Sequence, residues 1–211
     1  MLKNDTFLNS PLKRFENENE NLLQTGDLGA VLARAGEGKT ELLVQMGLTR
    51  LLDGINVLHV SLQDPIQKVL VWYEEVFREM TNHDMKEVHK HWEDILQHRY
   101  IMTFKAIAFQ VDKFEERLIE LKEQNIFTPN LILFDGFPFD EMHRDVLAEL
   151  KQLVQNHGMY AWFSITTHRH EQPGPDGLPP QLSPVSNFFK AALQVESKGK
   201  KIYIKALKGG K

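Results

Sequence analysis

Ala33-Arg34-Ala35-Gly36-Glu37-Gly38-Lys39-Thr40 follows an apolar run, Leu28 to Leu32, and precedes a helical pattern that opens Glu41-Leu42-Leu43-Val44. Strand, glycine-bearing loop, Gly-Lys-Thr and helix in that order make a phosphate-binding loop, and this reading decides the fold. The pattern is G-x-x-x-x-G-K-[ST] with one departure: Ala33 stands at the first glycine, where a methyl group is tolerable before the loop tightens. Such a loop wraps backbone N–H groups around phosphate oxygens, so Gly36 and Gly38 supply close approach and unusual φ/ψ. The helix opening near Lys39 turns its N-terminal dipole and free N–H groups toward the same anion. Lys39 brings a point charge to the β- and γ-phosphates, and the Thr40 hydroxyl is a Mg²⁺ ligand. The candidate cradle comprises Ala33, Arg34, Ala35, Gly36, Glu37, Gly38, Lys39, Thr40 and Glu41.

Composition bounds the rest. With 211 residues, 42% of them apolar, the chain can bury one sizeable core, and a single domain over residues 26–211 is expected. Residues 1–25 read as an arm or linker: Phe7, Leu8, Leu12 and Phe15 are apolar, whereas 16–21 alternate Glu and Asn. Such an arm orders only by docking on the core or a neighbouring subunit. A formal net charge of −4 excludes a globally electrostatic nucleic-acid binder but leaves room for a local patch. The absence of cysteine removes disulfides, thiolate catalysis and Cys-based metal sites. The polar N-terminus is no signal peptide, and no apolar run reaches the roughly 18 residues of a membrane span. A soluble cytoplasmic protein without membrane contact is the expectation.

Strand and helix patterns alternate along the chain. Strands are expected at 28–33, 55–62, 100–104, 131–135 and 160–166, and helices at 39–52, from Pro65 to about 80, 84–97, 107–124 and 141–156. Ile66, Val69, Leu70, Val76, Phe77 and Met80 trace one face of the second helix; Val111, Phe114, Leu118 and Leu121 form the stripe of the 107–124 helix. Met142, Val146, Leu147, Leu150 and Val154 do so for 141–156. Residues 168–185 hold five prolines and two glycines, the mark of a long irregular loop, and 190–196 with 201–207 read as a hairpin. The expected fold is α/β: a three-layer P-loop NTPase with a mainly parallel central sheet and a C-terminal antiparallel hairpin.

A P-loop needs a metal carboxylate from another strand. Leu131-Ile132-Leu133-Phe134-Asp135 is an apolar run ending in an acid, as a buried parallel strand reads, and Asp135 fits the Walker B role of holding Mg²⁺. Gly26-Asp27-Leu28, Ala33 to Thr40, Val60-Ser61-Leu62-Gln63-Asp64-Pro65 and Leu131 to Asp135 together resemble the RecA-like ATPase core, especially its DnaB-helicase and KaiC branches. The resemblance covers about residues 26–211 and is closest over 26–64 and 131–135. It implies a RecA-like sheet, Mg–ATP as ligand, ATP hydrolysis and a homo-oligomer. It also implies a γ-phosphate-sensing strand at Ser164-Ile165-Thr166-Thr167-His168, with Thr167 or His168 as the sensor. The terminal segment with Lys208-Gly209-Gly210 resembles the one carrying a basic finger to the neighbouring subunit's nucleotide.

Departures qualify that picture. Gln63 stands where the family has its catalytic Glu; an amide holds a water but cannot accept its proton. Asp64, one residue on, points to the opposite face of a continuing strand but turns inward if the strand has ended. Glu37 is a further acid near the phosphates, and Lys208 carries charge without the bidentate fork of arginine. Two alternatives to an active ATPase therefore stand: a nucleotide-gated assembly or regulatory module that hydrolyses poorly, and a DNA-acting helicase or recombination accessory. The latter draws on the position of loop 168–185 and on Lys198, Lys200, Lys201, Lys205, Lys208 and Lys211, which read equally as a solubilising edge. His83, His89, His91 and His98 sit at spacings that converge poorly for a metal. Trp72, Tyr73 and Trp92 read as core or interface.

Overall fold

Leu131-Ile132-Leu133-Phe134 is apolar at every position because both faces of the strand it forms are covered: Leu131 and Leu133 join one buried cluster, Ile132 and Phe134 the other. The computed structural model describes residues 22–81, 92–139, 143–168, 171–198 and 201–209. In chain order they form β1 (Leu28–Arg34), α1 (Lys39–Leu52), β2 (Val57–Ser61), α2 (Ile66–Met80), β3 (Arg99–Thr103), α3 (Val111–Glu123), β4 (Leu131–Asp135), α4 (Arg144–Asn156), β5 (Tyr160–Thr167), β6 (Phe189–Lys198) and β7 (Lys201–Lys208).

Among the described residues the sheet has seven strands in the order β3-β2-β4-β5-β1-β6-β7. All neighbours pair parallel except β6 with β7, which form the antiparallel hairpin. Helices α3 and α4 cover one face, with Phe114, Leu118, Leu147 and Leu150 against Phe134 and Phe163. Helices α1 and α2 cover the other, with Leu43, Leu48, Tyr73 and Phe77 against Val57, Leu133 and Trp162. Parallel strands joined by helices on both faces bring the loops after β1, β2, β4 and β5 to one edge, where ligands of open α/β sheets sit.

The α/β class, the mainly parallel sheet and the closing hairpin follow the expectation, and the stripe Val111, Phe114, Leu118, Leu121 is the buried side of α3. Three details differ. The buried face of α2 is Val69, Tyr73, Val76 and Phe77, while Ile66 is 39% exposed, so Tyr73 is at the centre of the stripe. Helix α3 starts at Val111 because residues 106–108 form a separate 3₁₀ turn. Over 171–188 the expected irregular loop folds back on the core, burying Leu182 and Val185, and ends in a 3₁₀ helix, Ser183–Phe188. Asp176 ties it together, accepting from the Leu178 N–H at 3.0 Å and the Ser183 hydroxyl at 2.6 Å, and Gln181 donates to Glu171.

Of the expected arm, residues 1–21 lie outside the described residues, as do His83, His89, His91, Met142 and Arg169. Leu22 and Leu23 pack partly against the α1–α2 side. Among the described residues no helix is long and apolar enough to cross a membrane.

At Gly29 the sheet admits no side chain, since a Cβ would meet the Trp162 ring at 2.5 Å from its cross-strand partner. A Gly29→Ala change overpacks this contact and should cost about 1–3 kcal/mol. Thermal unfolding followed by circular dichroism should then show a Tm lowered by about 2–4 °C per kcal/mol lost; an unchanged Tm refutes the packing assignment.

Candidate functional site

Period-two alternation puts Ser61 and Asp135, the last residues of β2 and β4, and Ser164, level with Asp135 in β5, on the face that α1 covers. All three are buried, in a sheet whose other buried side chains are almost wholly apolar. Over this row stands the first turn of α1. The Thr40 hydroxyl donates to Asp135 Oδ2 at 2.8 Å, and the Ser164 hydroxyl donates to Asp135 Oδ1 at 2.6 Å. Ser164 Oγ in turn accepts the Gly136 N–H at 2.9 Å. The Ser61 hydroxyl is used locally, donating to the Asp64 carbonyl at 2.9 Å and accepting the Asp64 N–H at 3.0 Å.

The connection from β1 to α1 needs its glycines. Gly36 and Gly38 adopt φ of 77° and 90°, a left-handed region costly for other residues, and Gly38 is the N-cap of α1. The Glu37 N–H donates to the Arg34 carbonyl at 3.2 Å, and the Arg34 guanidinium pairs with Glu37 at 3.7 Å. Among the described residues no side chain caps α1, so its first N–H groups have no side-chain partner there. A Cβ on Gly36 would meet nothing within 4 Å, so its surroundings are open. Burial holds the Lys39 ammonium below the usual lysine value, against the opposing pull of Asp135 and Glu37. An ammonium in that position gains from a further anion. Burial, reinforced by Glu79, raises the Glu41 carboxyl, and Glu41 accepts a long hydrogen bond from Gln45 at 3.4 Å. Ala33 is buried in the core, consistent with a strand position rather than a loop one.

Gln63 is exposed and lies across Gly136; a Cβ there would meet Gln63 Cγ at 2.5 Å, so the amide's stem rests on the residue after Asp135. β2 ends at Ser61, and Asp64 pairs with Lys68 at 2.8 Å one helical turn on. Thr167 is the cross-strand partner of Arg34, beside the glycine loop, and His168 is exposed just beyond. Lys208 is not brought to this cluster. It pairs in register with Ala192 toward the amino-terminal edge of the sheet, and its ammonium donates to the Ser186 carbonyl at 2.7 Å. The Lys198–Lys201 end of the β6–β7 ladder, not Lys208, lies toward the glycine-loop edge. Within 171–188 the side chains of Asp176 and Ser183, and of Gln181 and Glu171, are engaged with one another.

Sequence reasoning missed Ser164 as a partner of Asp135, although a serine inside an apolar run was the available signal. It also missed a polar group under α2. Fully buried His59 turns Nδ1 to the Tyr73 hydroxyl at 3.3 Å, its Nε2 has no hydrogen-bond partner among the described residues, and the Arg99 guanidinium lies over the Tyr73 ring at 4.7 Å. His98 is bonded to Asn56 at 2.7 Å, and no cluster of three or more His, Asp or Glu among the described residues suits a metal. Thr40 and Asp135 offer two hard oxygen donors side by side, the number Mg²⁺ takes from protein when phosphates and water complete its shell. No protein-family model matches the chain, and no curated protein matches it significantly.

Burial pushes the His59 imidazole down to about 4, against the pull of Asp135 and assisted by Arg99. The unfolded chain therefore takes up this proton near the ordinary 6.5 and the folded chain only near 4, so stability falls as pH drops through that window, by a few kcal/mol in all. A His59→Gln protein should lose less Tm than wild type between pH 7 and pH 4.5. Equal losses in the two proteins refute the assignment.

Proposed function

We propose that this chain is a RecA-like P-loop ATPase that binds Mg–ATP and turns it over slowly on its own. The observation that carries the reading is the 2.8 Å contact between Thr40 and Asp135, which joins the first turn after the glycine loop to a strand 95 residues on. Support comes also from the strands: β2 and β3 intervene in sequence between the glycine loop and Asp135, and β5 lies between β1 and β4 in the sheet. In this reading the N–H groups of Gly36 to Thr40 and the Lys39 ammonium hold the β- and γ-phosphates. Thr40 and Asp135 hold Mg²⁺, which when bound neutralises charge on the phosphate oxygens.

Gln63 orients the attacking water from its seat on Gly136 but cannot take its proton. Asp64 is committed to Lys68 and is a poor substitute. The same observation favours a second reading, a module in which bound ATP gates assembly or regulation and hydrolysis is incidental. Assembly into a homo-oligomer is proposed on the resemblance alone, and in it Lys208 would have to leave the Ser186 carbonyl to act as a finger.

Binding of a fluorescent ATP analogue tests the cradle. Lys39→Ala should weaken it about 10- to 150-fold, the 1.5–3 kcal/mol of a charge-assisted hydrogen bond, and equal affinities in the two proteins sink the proposal. Steady-state phosphate release separates the two readings: wild type should exceed Lys39→Ala measurably, and Gln63→Glu should raise the rate by about 10²-fold as general-base help returns. A wild-type rate equal to that of Lys39→Ala, with binding intact and mass changing with ATP in light scattering, selects the gated module.

A further inference from the structure

We infer that Ser164 is a positioning residue for the metal site, a role that rests on the Mg–ATP reading above. Its side chain is 2% exposed and has one proton to give. The Gly136 N–H points into its oxygen at 2.9 Å, so the hydroxyl proton must go elsewhere, and Asp135 Oδ1 takes it at 2.6 Å. One hydroxyl thus clamps both the carboxylate and the peptide that follows it. The consequence is a division of labour within Asp135. Oδ1 is held by Ser164 on β5, which leaves Oδ2 to face Thr40 and to exchange that hydroxyl contact for a cation shared with it.

The clamp reaches Gln63 as well. Gly136 has a φ of 80° and carries the Gln63 stem against its α-carbon, so the peptide held by Ser164 is also the seat of the water-orienting amide. Ser164 touches neither nucleotide nor metal in this arrangement. It acts through Asp135 and Gly136, and its removal should change what Mg²⁺ contributes while leaving the phosphate cradle of Gly36 to Thr40 intact.

The test is the binding of a fluorescent ATP analogue to the full chain, measured in EDTA and then over a Mg²⁺ titration, with Mn²⁺ electron paramagnetic resonance as an independent count of bound metal. Ser164→Ala should leave the EDTA affinity within about twofold and raise the Mg²⁺ concentration at half-effect about 10- to 100-fold, the usual range for losing an outer-shell partner. Ser164→Cys, close in volume and a weak donor, should shift the midpoint in the same direction and serves if the alanine protein does not fold. A Mg²⁺ midpoint equal to wild type overturns the inference, as does an EDTA affinity weakened as much as the Mg²⁺-supported one, which marks a merely structural serine. Wild type that binds no nucleotide overturns the Mg–ATP reading itself and this role with it.

Discussion

A carboxylate buried at the end of a central strand is the constraint on which this architecture turns. Asp135 is 8% exposed, and a charge so placed is costly unless hydrogen bonds compensate for lost water. Two hydroxyls do so, Thr40 from α1 and Ser164 from β5, each hydrogen bond to a charged group contributing about 1.5–3 kcal/mol. Because those partners come from the helix after the glycine loop and from the neighbouring strand, satisfying Asp135 fixes the register of β4 against β5 and the height of α1 over both. Site and fold are held by the same contacts.

Electrostatics then gives the cradle its preference. Lys39 loses water to its surroundings and recovers only part of that loss from Asp135 and Glu37. The uncapped start of α1 adds N–H groups pointing the same way. A polyanion relieves both deficits together, whereas a neutral ligand relieves neither. In the proposed ATPase, turnover would depend on Gln63, an amide that can hold a water but cannot take its proton.

Local chemistry made the main features legible from sequence. The glycine loop declares itself because left-handed φ demands glycine, and β4 because only a strand covered on both faces is apolar throughout. Asp135 was singled out by what a phosphate site would require of a partner strand, not by any periodicity, and the structure brings it to Thr40. The rest was hidden for physical reasons. Ser164 meets Asp135 from 29 residues away, a pairing no local pattern encodes. Tyr73, read only as core or interface, joins the α2 stripe because its hydroxyl lies over Gly47 and meets His59, contacts that helical spacing does not encode. The prolines of 171–188 argued for irregularity, yet Leu182 and Val185 gain enough from burial to fold that segment down.

The place of β1 in the sheet has a consequence for how the protein comes into being. β1 is bordered by β5 and β6, with Leu28 opposite Ala161 on one side and Phe189 on the other. The strand that ends in the glycine loop is thus made first and has no neighbour until the last third of the chain exists. At ribosomal speeds of about 5–20 residues per second the wait is on the order of ten to thirty seconds. During it an apolar strand, Leu28 to Ala33, is without its sheet. Such non-local pairing is slow to close and open to wrong partners meanwhile. The cradle is the earliest part of the site to be synthesised and the last to be framed, so a chain cut short before β6 leaves β1 with an open edge.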